Sequence, residues 1–505
     1  MNTNTPQYIL ALDLGTTGNR AILFDSQGAI AGQAYKELTQ HYPQPGWLEH
    51  DPEELWQDTR ACMRQVFKDT GVAADSVAAI GLTVQRETCL LWDKTTGKPL
   101  HNAIVWQDRR TAPLCRQLTE QGKAEDIQER TGLVLDAYFS ATKLAWLLDW
   151  VKRERPEVNL DNVLAGTIDT WALWNLTGGQ VHATDHSNAS RTMLMNLAHQ
   201  EWDEALLDLF GIPAAIMPQI QPSMGIFGKT DPELVGREIP ITAVFGDQQA
   251  ALFAHGCDRP GMLKCTYGTG CFLIGFTGQE LTRSRNQLLS TIAWTNATQS
   301  GKTEVNYALE GAMFTTGASI QWLRDGIQLI DSAAQTEPLA RQVKSTNGVY
   351  FVPALSGLGA PHWDMSARGA FLGITGGVQR EHLVRSVLEA IAYQVKEVVE
   401  AMNKDCNTAI KLLRVDGGAC QNDFLMQFQS DVLGIPVQRP AVLEATAQGA
   451  AFGAGLAVGF WDNYSTLVKT RQIDQTFEPG EGQQAAQDHF QTWLKAVERS
   501  KNWVD

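Results

Sequence analysis

Short apolar runs alternate along the chain with amphipathic stretches of helical spacing. The stretch 8–35 holds three such runs, separated by short turns, and predicts three strands. Asp51 and Pro52 mark the start of a helix, because Asp is a favoured N-cap residue and Pro fits a first helical turn. The apolar run 77–84 is bounded by polar residues and predicts a buried strand.

The second half of the chain repeats this order. A hairpin pattern occupies 262–276, and helical spacing of apolar residues recurs at 311–325 and 381–403. A short apolar run at 412–415 predicts a strand, and the small-residue stretch 444–459 predicts a closely packed helix. The repetition predicts a duplicated α/β unit.

Two turns in matching places of the halves have similar sequences. Residues 8–18 and 262–270 each form an apolar run that leads into a Gly/Thr turn. We expect the turn glycines to adopt positive φ, and the Thr hydroxyls and backbone N–H groups to line an anion-binding nest. One such turn is equally typical of an ordinary hairpin, whereas two favour a polyphosphate held between the copies.

Length and composition restrict the classes of protein. At 505 residues the chain exceeds one ordinary core, and we place two domains at 1–254 and 255–505. The formal net charge is −15 without a basic run, which argues against a nucleic-acid partner. The apolar run 449–461 is too short to span a membrane. The first seven residues lack signal-peptide features, and the eight cysteines form no CxxC, so a cytoplasmic location is expected.

Two aspartates follow apolar runs and are candidates for chemistry. Asp13 lies beside the first Gly/Thr turn with Arg20 nearby, which suits a hydrated Mg²⁺ bridged to phosphates. Asp247 follows the run 241–245, where a carboxylate can accept the proton of a substrate hydroxyl. The local sequence 246–249 by itself favours a helix N-cap, for which Asp is equally suited.

Other candidates are ambiguous when taken singly. Arg86 and Glu87 follow the strand 77–84, where open α/β sheets place ligand crevices, but adjacent opposite charges are usually a solvated pair. Trp106 and Tyr138 alone are typical of core aromatic residues. The Gly pair after Asp416 lets a flat ring or a ribose approach the backbone, or forms a plain strand–helix turn.

Taken together and in order, these stretches resemble the FGGY carbohydrate kinases, and in particular the members that act on glycerol. The resemblance covers residues 7–500. Any one motif is modest, whereas the ordered set is highly specific. Its carriers are 13–17 (DLGTT), 41–51 (HYPQPGWLEHD), 85–88 (QRET), 138–143 (YFSATK), 188–192 (NASRT), 246–250 (GDQQA), 266–272 (TYGTGCF), 317–324 (GASIQWLR) and 416–418 (DGG).

The resemblance implies an α/β fold of two actin-like (RNase H-like) domains with an active-site cleft between them. It implies that ATP, with Mg²⁺, phosphorylates a terminal hydroxyl of glycerol to give sn-glycerol 3-phosphate. Asp247 would be the general base, and Asp13 would hold the metal ion through water. A homodimer or homotetramer is expected.

The remaining site residues are also carried over from the family. The glycerol site would contain Arg86, Glu87, Trp106, Tyr138, Asp247, Gln248 and Phe272. The phosphate and nucleoside contacts would come from Thr16, Thr17, Gly18, Arg20, Gly268, Thr269, Gly317, Gln321, Gly418 and Asn422. We expect the charges of Arg86, Glu87 and Asp247 to compensate partly among themselves.

Two alternatives remain open at this point. One is another kinase of the same family that acts on a pentulose or a four-carbon polyol. The other is an actin- or chaperone-like ATPase whose product is a conformational change. Regulation is a separate question: some bacterial relatives carry a Gly-rich basic loop for fructose bisphosphate, or a phosphorylated His, near the position of 226–240. This chain has neither there, and we expect neither control.

Overall fold

The computed structural model describes residues 7–297, 302–469 and 471–504. The first six residues, which bear on the expected lack of a signal peptide, lie outside these ranges. Within the described ranges, no helix is both long enough and apolar enough to cross a bilayer.

Strands and helices alternate through both halves, as the sequence pattern predicts. The strands are β1 (Tyr8–Leu14), β2 (Gly18–Asp25), β3 (Ile30–Glu37), β4 (Glu49–His50), β5 (Val77–Val84), β6 (Cys89–Asp93), β7 (Ala103–Ile104), β8 (Val163–Thr167), β9 (Ala183–Asp185), β10 (Met195–Asn196), β11 (Glu201–Trp202), β12 (Gln219–Gln221), β13 (Met224–Lys229), β14 (Pro240–Gly246), β15 (Met262–Tyr267), β16 (Cys271–Gly278), β17 (Leu289–Ala297), β18 (Thr303–Met313), β19 (Tyr350–Val352), β20 (Ala370–Leu372), β21 (Leu412–Asp416), β22 (Val437–Pro440) and β23 (Ile473–Phe477). The helices are α1 (Pro52–Thr70), α2 (Ala112–Glu120), α3 (Ala124–Thr131), α4 (Ser140–Glu154), α5 (Ile168–Leu176), α6 (His186–Ala189), α7 (Glu204–Phe210), α8 (Pro232–Val235), α9 (Asp247–Ala254), α10 (Gly317–Gln321), α11 (Thr336–Arg341), α12 (Arg380–Asp405), α13 (Asp423–Leu433), α14 (Ala445–Ala457), α15 (Tyr464–Lys469) and α16 (Gln483–Ser500).

One sheet runs through both halves of the chain. Its order is β23-β22-β21-β15-β16-β18-β17-β13-β14-β5-β1-β2-β3. In the first half β1 pairs antiparallel with β2 and parallel with β5, and in the second half β15 pairs in the same way with β16 and β21. The halves meet at β13 and β17, where Met224 pairs with Asn296. The expected duplication is confirmed, and the boundary near residue 254 stays a prediction.

Helices α9 and α14 hold the two halves together. α14 belongs to the second half but packs on β1, β5 and β14 of the first, and it contacts α9 along its length. The apolar cluster between them includes Phe245, Phe253 and Phe452. Small residues permit this contact: a Cβ added to Gly449 would lie 1.9 Å from the carbonyl oxygen of Ala250. The packing aligns the carboxyl ends of the parallel strands along one edge.

Most local predictions of strands and helices are confirmed, and one is wrong for the first part of its length. Asp51 caps α1, where its carboxylate accepts the N–H of Glu53 at 2.8 Å. The predicted helix at 311–325 instead begins as the end of β18, which continues to Met313, and helix α10 starts only at Gly317. β18 is paired with β16 on one side and β17 on the other, so sheet pairing overrides the helical spacing of its side chains.

The reason for glycine in the two Gly/Thr turns also differs from the prediction. Gly15, Gly18, Gly268 and Gly270 do not have positive φ. Two of them are required by close backbone approach instead: an added Cβ would lie 2.4 Å from the carbonyl oxygen of Lys36 at Gly18, and 2.7 Å from that of Met313 at Gly270. The hairpins are therefore shaped by packing against neighbouring strands rather than by left-handed backbone.

Candidate active site

A cavity of about 480 Å³ opens at the sheet edge where β1, β5, β14 and β15 end. This is the edge at which α/β sheets place ligands. The cavity brings together residues as far apart in the sequence as Asp13 and Thr446, which are separated by 433 positions. Of the predicted site residues it is lined by Asp13, Thr16, Thr17, Arg20, Arg86, Glu87, Trp106, Tyr138, Asp247, Gln248, Gly268, Thr269, Phe272 and Gln321.

A second cavity of about 260 Å³ adjoins the first in the second half of the chain. Gly268, Thr269 and Gln321 line both, and Gly317 and Gly418 line the second. An added Cβ at Gly317 would lie 2.5 Å from the carbonyl oxygen of Gly268, which accepts the Gly317 N–H at 3.0 Å. The start of α10 is thereby fixed directly against the second Gly/Thr turn.

Two of the predicted nucleotide contacts line neither cavity. Gly18 lies within β2, against Lys36 of β3. Asn422 caps helix α13, where its Oδ1 accepts the N–H of Leu425 at 2.9 Å and its Nδ2 donates to the Thr336 hydroxyl at 3.1 Å. The close approach of β3 explains the glycine at position 18, and the cap together with the contact to Thr336 explains the asparagine at position 422.

Four charged residues form what we call the buried ionic cluster: Arg86, Glu87, Arg191 and Glu310. Arg86 donates from Nη1 and Nη2 to the two carboxylate oxygens of Glu310, at 2.5 and 2.9 Å. Arg191 donates to Glu87 at 2.7 Å and to Glu310 at 3.0 Å. Each of the four is at most 3% exposed. The alternative of a solvated Arg86–Glu87 pair is therefore excluded.

The pairing in this cluster also differs from the expected compensation. Arg86 and Glu87 lie 3.8 Å apart, farther than either lies from its partner in the cluster, and Asp247 is 3.3 Å from Arg86. Burial alone would raise the pKa of Glu310, but Arg191 and Arg86 lower it to about 2. Burial raises the pKa of Glu87 in spite of both arginines. Two cations and two anions thus make the cluster formally neutral.

Tyr138 and Glu87 are held by backbone contacts. The buried ammonium of Lys143 donates to the carbonyl oxygens of Ala137, Tyr138 and Phe139, at 3.0, 2.6 and 2.9 Å. Glu87 has a φ of 62°, which is uncommon for a residue other than Gly, and its carbonyl oxygen accepts the Ser140 hydroxyl at 3.0 Å. Side chains from the first turn of α4 therefore hold the backbone at Tyr138 and at Glu87, and this places both residues at the cavity wall.

Aromatic rings form the other wall. Trp106 packs edge-on against Tyr138 and Phe272, with centroid distances of 5.6 and 5.7 Å. Its indole Nε1 donates to the Thr16 hydroxyl at 2.9 Å, which links this wall to the first Gly/Thr turn. Tyr138 is buried, as a core aromatic would be, yet it also lines the cavity. An apolar face thus opposes the charged face across a small polar cavity.

Asp247 is the first residue of α9, and Gly246 occupies the N-cap position. Its Oδ1 accepts the N–H of Gln248 at 2.7 Å and lies 3.3 Å from Nε of Arg86, while a quarter of the side chain (26%) stays exposed to the cavity. Gly246 is required here, since an added Cβ would lie 2.6 Å from Cδ of Arg86. The carboxylate therefore makes a helix-start contact and faces the cavity as well.

A buried lysine lies behind Asp247. Nζ of Lys264 donates to Oε1 of Gln248 and, at 2.7 Å, to the Thr266 hydroxyl. This contact turns the Gln248 amide so that Nε2 donates to Oδ2 of Asp247 at 3.1 Å. Burial lowers the pKa of Lys264, and Asp416 and Asp247 partly offset that effect. Lys264 thereby orients the groups around the Asp247 carboxylate.

Asp13 is the second-last residue of β1, beside the first Gly/Thr turn. Its Oδ2 accepts the hydroxyl of Thr446 at 2.8 Å and lies 3.5 Å from Nη1 of Arg20. Burial raises the pKa of Asp13 to about 6, although Arg20 and Thr446 act in the opposite direction. The carboxylate is thus buried without full compensation by a cation, and it faces the cavity. That environment suits a hydrated divalent cation.

Several residues around the cavity were not singled out from the sequence. Glu310 and Lys264 support the site from within β18 and β15, and Thr446 reaches Asp13 from α14. Arg191 was noted only as part of the 188–192 motif. A signal was present for two of them, because Glu310 and Lys264 each interrupt an apolar stretch of a strand, which is rare without a buried partner.

A larger cavity of about 780 Å³ lies elsewhere, beside Phe253, Phe276 and Trp294. None of the predicted site residues lines it. Its wall mixes aromatic, aliphatic and amide side chains, and Asp258 and Glu304 are the charged residues that line it, so it lacks the paired cations and anions of the sheet-edge cavity. The chemistry of the described residues therefore concentrates at the carboxyl edge of the sheet.

Comparisons with known proteins agree with this geometry. Residues 8–254 match the model of the N-terminal domain of the FGGY family of carbohydrate kinases, and residues 263–458 match that of the C-terminal domain. A protein of Acaryochloris marina described as "Glycerol kinase" is 71% identical over 498 residues, which cover 99% of each chain. One of Trichodesmium erythraeum with the same description is 69% identical over the full length of both chains.

A solved structure supports the same relationship. That of Plasmodium falciparum glycerol kinase with ADP has a TM-score of 0.90 and 35% identity, and covers 98% of both chains. These matches confirm the predicted α/β fold of two actin-like domains. Because the two family models together cover most of the sequence, the chain belongs to the FGGY family of carbohydrate kinases.

Proposed function

We propose that this protein phosphorylates glycerol with ATP and Mg²⁺ to give sn-glycerol 3-phosphate, with Asp247 as the general base. The observation that carries the proposal is the convergence of Arg86, Glu87, Tyr138 and Asp247 at a cavity next to two Gly/Thr turns. Relatives described as glycerol kinases, up to 71% identical along the whole chain, support this substrate.

The cavity chemistry suits a small polyol. Glycerol offers three hydroxyls and little apolar surface, so a pocket for it needs several polar groups that point to one place. Arg86, Glu87 and Tyr138 would hydrogen-bond the hydroxyls, helped by Gln248, while Trp106 and Phe272 would cover the carbon edge. Asp247 would orient one terminal hydroxyl and accept its proton as the phosphoryl group transfers.

The two Gly/Thr turns would hold the phosphates. Thr16, Thr17 and Arg20 from the first turn and Gly268 and Thr269 from the second face the same cavity. Gly317, Gln321 and Gly418 would border the nucleoside in the adjoining cavity. The ADP in the solved structure of the Plasmodium falciparum relative supports a nucleotide for this chain too.

The residues at the first turn fit a magnesium ion. Asp13 is a buried carboxylate without full compensation, and it would hold the ion through water. When bound, Mg²⁺ would neutralise charge on the transferring phosphoryl group. Exclusion of water from the cavity would limit hydrolysis of ATP.

Sites for a larger sugar or for ATP hydrolysis alone receive less support. A xylulose kinase of Lactobacillus acidophilus shares the fold with a TM-score of 0.86, but at 21% identity it supports no substrate assignment. An ATPase that only changes conformation has no use for a buried pair of arginines and acids beside its phosphate turns. These observations therefore favour glycerol phosphorylation over a pentulose kinase and over an ATPase that only changes conformation.

Purified protein is expected to release ADP only when both glycerol and Mg²⁺ are present. A coupled ADP assay over glycerol, four-carbon polyols and pentuloses tests this, with product identified as glycerol 3-phosphate. Equal rates with and without glycerol would reject the proposal. Preferred turnover of a pentulose would instead indicate a different kinase of the same family.

Millimolar fructose bisphosphate is expected to leave this activity unchanged. In the segment 226–240 the guanidinium of Arg237 already pairs with Asp75 at 3.1 Å, and Lys229 pairs with Glu238 at 2.9 Å. A bisphosphate site needs clustered cations that are free to bind it. The measurement is initial rate against an ionic-strength control. Saturable inhibition that is lost in Arg237→Ala would contradict the expectation.

We also propose domain limits of 1–254 and 255–505, a homodimer or homotetramer, and a cytoplasmic location. The family-model match that ends at residue 254 supports the first limit.

The cysteines, all eight of which are free thiols, support a reducing compartment. Light scattering on the purified protein tests the oligomeric state.

A further inference from the structure

We propose that Glu310 and Arg191 position the polyol-binding side chains Arg86 and Glu87, and that they thereby determine selectivity for a substrate with three hydroxyls. The inference rests on the proposed function and deepens it. Neither Glu310 nor Arg191 lines the cavity, so each acts through the residue that it holds. They are positioning residues rather than catalytic ones.

Contacts with four side chains hold the guanidinium of Arg86 in one orientation. Glu310 accepts from both terminal nitrogens, and Nη2 also donates to the Tyr138 hydroxyl at 3.3 Å. Nη1 contacts Oε1 of Gln249 at 3.3 Å, and Nε faces Asp247 at 3.3 Å. A bidentate carboxylate holds a guanidinium in one plane, which a single hydrogen bond does not. Arg86 is therefore oriented before any substrate arrives.

Glu87 is oriented by the same cluster. Arg191 lies between the two acids, with Nε donating to Glu87 and Nη2 donating to Glu310. Because all members are buried, loss of one leaves the others with uncompensated charge. Glu310 is the central member, since it alone contacts both arginines through short hydrogen bonds.

The cluster also joins the two halves of the chain. Arg86, Glu87 and Arg191 belong to the first half, whereas Glu310 lies on β18 of the second. Glu310 thus holds the charged side chains that line the cavity, although it does not line the cavity itself. Its geometry depends on the packing of the halves, not on the QRE motif alone.

A rigid set of charged partners gives a physical basis for selectivity. A ligand that lacks one hydroxyl leaves a buried charged group without its hydrogen bond, and a rigid site cannot move to compensate. If Arg86 and Glu87 were free to rotate, they could find other partners. Weakening the buried ionic cluster should therefore reduce the preference for glycerol over ligands that lack one hydroxyl more than it reduces the affinity for the nucleotide.

The test is Glu310→Gln, with Glu389→Gln as the matched control. Glu389 is also a buried carboxylate that pairs with an arginine, Arg385 at 2.7 Å, but it lies on α12 away from both cavities. In Glu310→Gln we expect KM for glycerol to rise by roughly 10- to 100-fold, the loss that corresponds to hydrogen bonds of charged groups. The preference for glycerol over propane-1,2-diol should fall, while Kd for ADP stays within about twofold. Glu389→Gln should change none of these.

Several outcomes would overturn the inference. One is an unchanged KM and selectivity in folded Glu310→Gln; another is an equal loss of glycerol and ADP binding, which indicates a structural role only. If Glu310→Gln fails to fold, Glu310→Asp replaces it, because this variant keeps the negative charge. KM for glycerol, the preference for glycerol over propane-1,2-diol and Kd for ADP then test the inference in the same way. The wild-type protein separates this inference from the proposed function. If it prefers another polyol, glycerol is rejected, and the variants are compared on that polyol and its analogue with one hydroxyl fewer.

Discussion

Replacing Asp247 by Asn is expected to lower turnover with glycerol by roughly 10²-fold or more, because an amide cannot accept the proton of the attacking hydroxyl. Binding of ATP should be retained, since Asp247 lies beside Arg86 in the first cavity and does not line the adjoining cavity, which we propose for the nucleoside. The measurements are kcat in the coupled ADP assay and Kd for ADP. The change keeps the size of the side chain and its ability to accept the N–H of Gln248.

Asp231→Asn is the matched control for that variant. Asp231 also starts a helix, α8, where its carboxylate accepts the N–H of Glu233 at 2.9 Å, and it lines neither cavity. The control should leave kcat unchanged. A folded Asp247→Asn protein with near-normal turnover would contradict the general-base role and favour a purely structural role at the start of α9.

Replacing Asp13 by Asn is expected to reduce activity and to increase thermal stability. Activity at limiting Mg²⁺ should fall by roughly 10- to 100-fold, as for other residues that hold a metal ion indirectly. Stability without ligands should rise near neutral pH, because the folded protein buries an incompletely compensated carboxylate, whose pKa is raised to about 6. Activity would thus be lost while the fold gains stability, a common relationship at functional sites.

The pH dependence of this stability gain follows from the direction of the pKa shift. The pKa of Asp13 rises from 3.8 to about 6 on folding, so the folded state binds the proton more tightly than the unfolded state does. The stabilisation by protonation is complete below the unfolded value and is lost as pH rises through about 6. The gain in Asp13→Asn should therefore be larger at pH 7.5 than at pH 5.0.

Asp169→Asn is the control that separates the expected loss of activity in Asp13→Asn from the expected gain in stability. Asp169 is equally buried, and burial raises its pKa to about 6 as well, but it lies on α5 outside both cavities. Its Asn variant should show the same pH trend in thermal unfolding with normal activity. Wild-type dependence on Mg²⁺ in Asp13→Asn would refute the metal role, and a lower unfolding temperature at pH 7.5 would refute the burial argument.

The sequence by itself determined the elements that place the site. Asp13, the Arg86–Glu87 pair and Asp247 each lie at or just after the end of an apolar run, and runs of this kind predict buried strands whose carboxyl ends meet at one edge. Periodicity and the cap at Asp51 also located α1, and the repeated pattern indicated the duplicated unit. The strands and the capped helix are local features, so residues within a few positions of each other were enough to predict them.

Other features were decided only by the tertiary structure. Glu310 pairs with Arg86 across 224 positions, and no local pattern specifies such a partner. The start of the segment 311–325 is a strand, although its sequence pattern predicts a helix, because neighbouring strands pair with it on both sides. Close approach of Lys36 explains Gly18, and the side chain of Asn422 is held by the Thr336 hydroxyl, 86 positions away. In each case the deciding energy comes from contacts distant in sequence or from burial, which neither residue type nor spacing encodes.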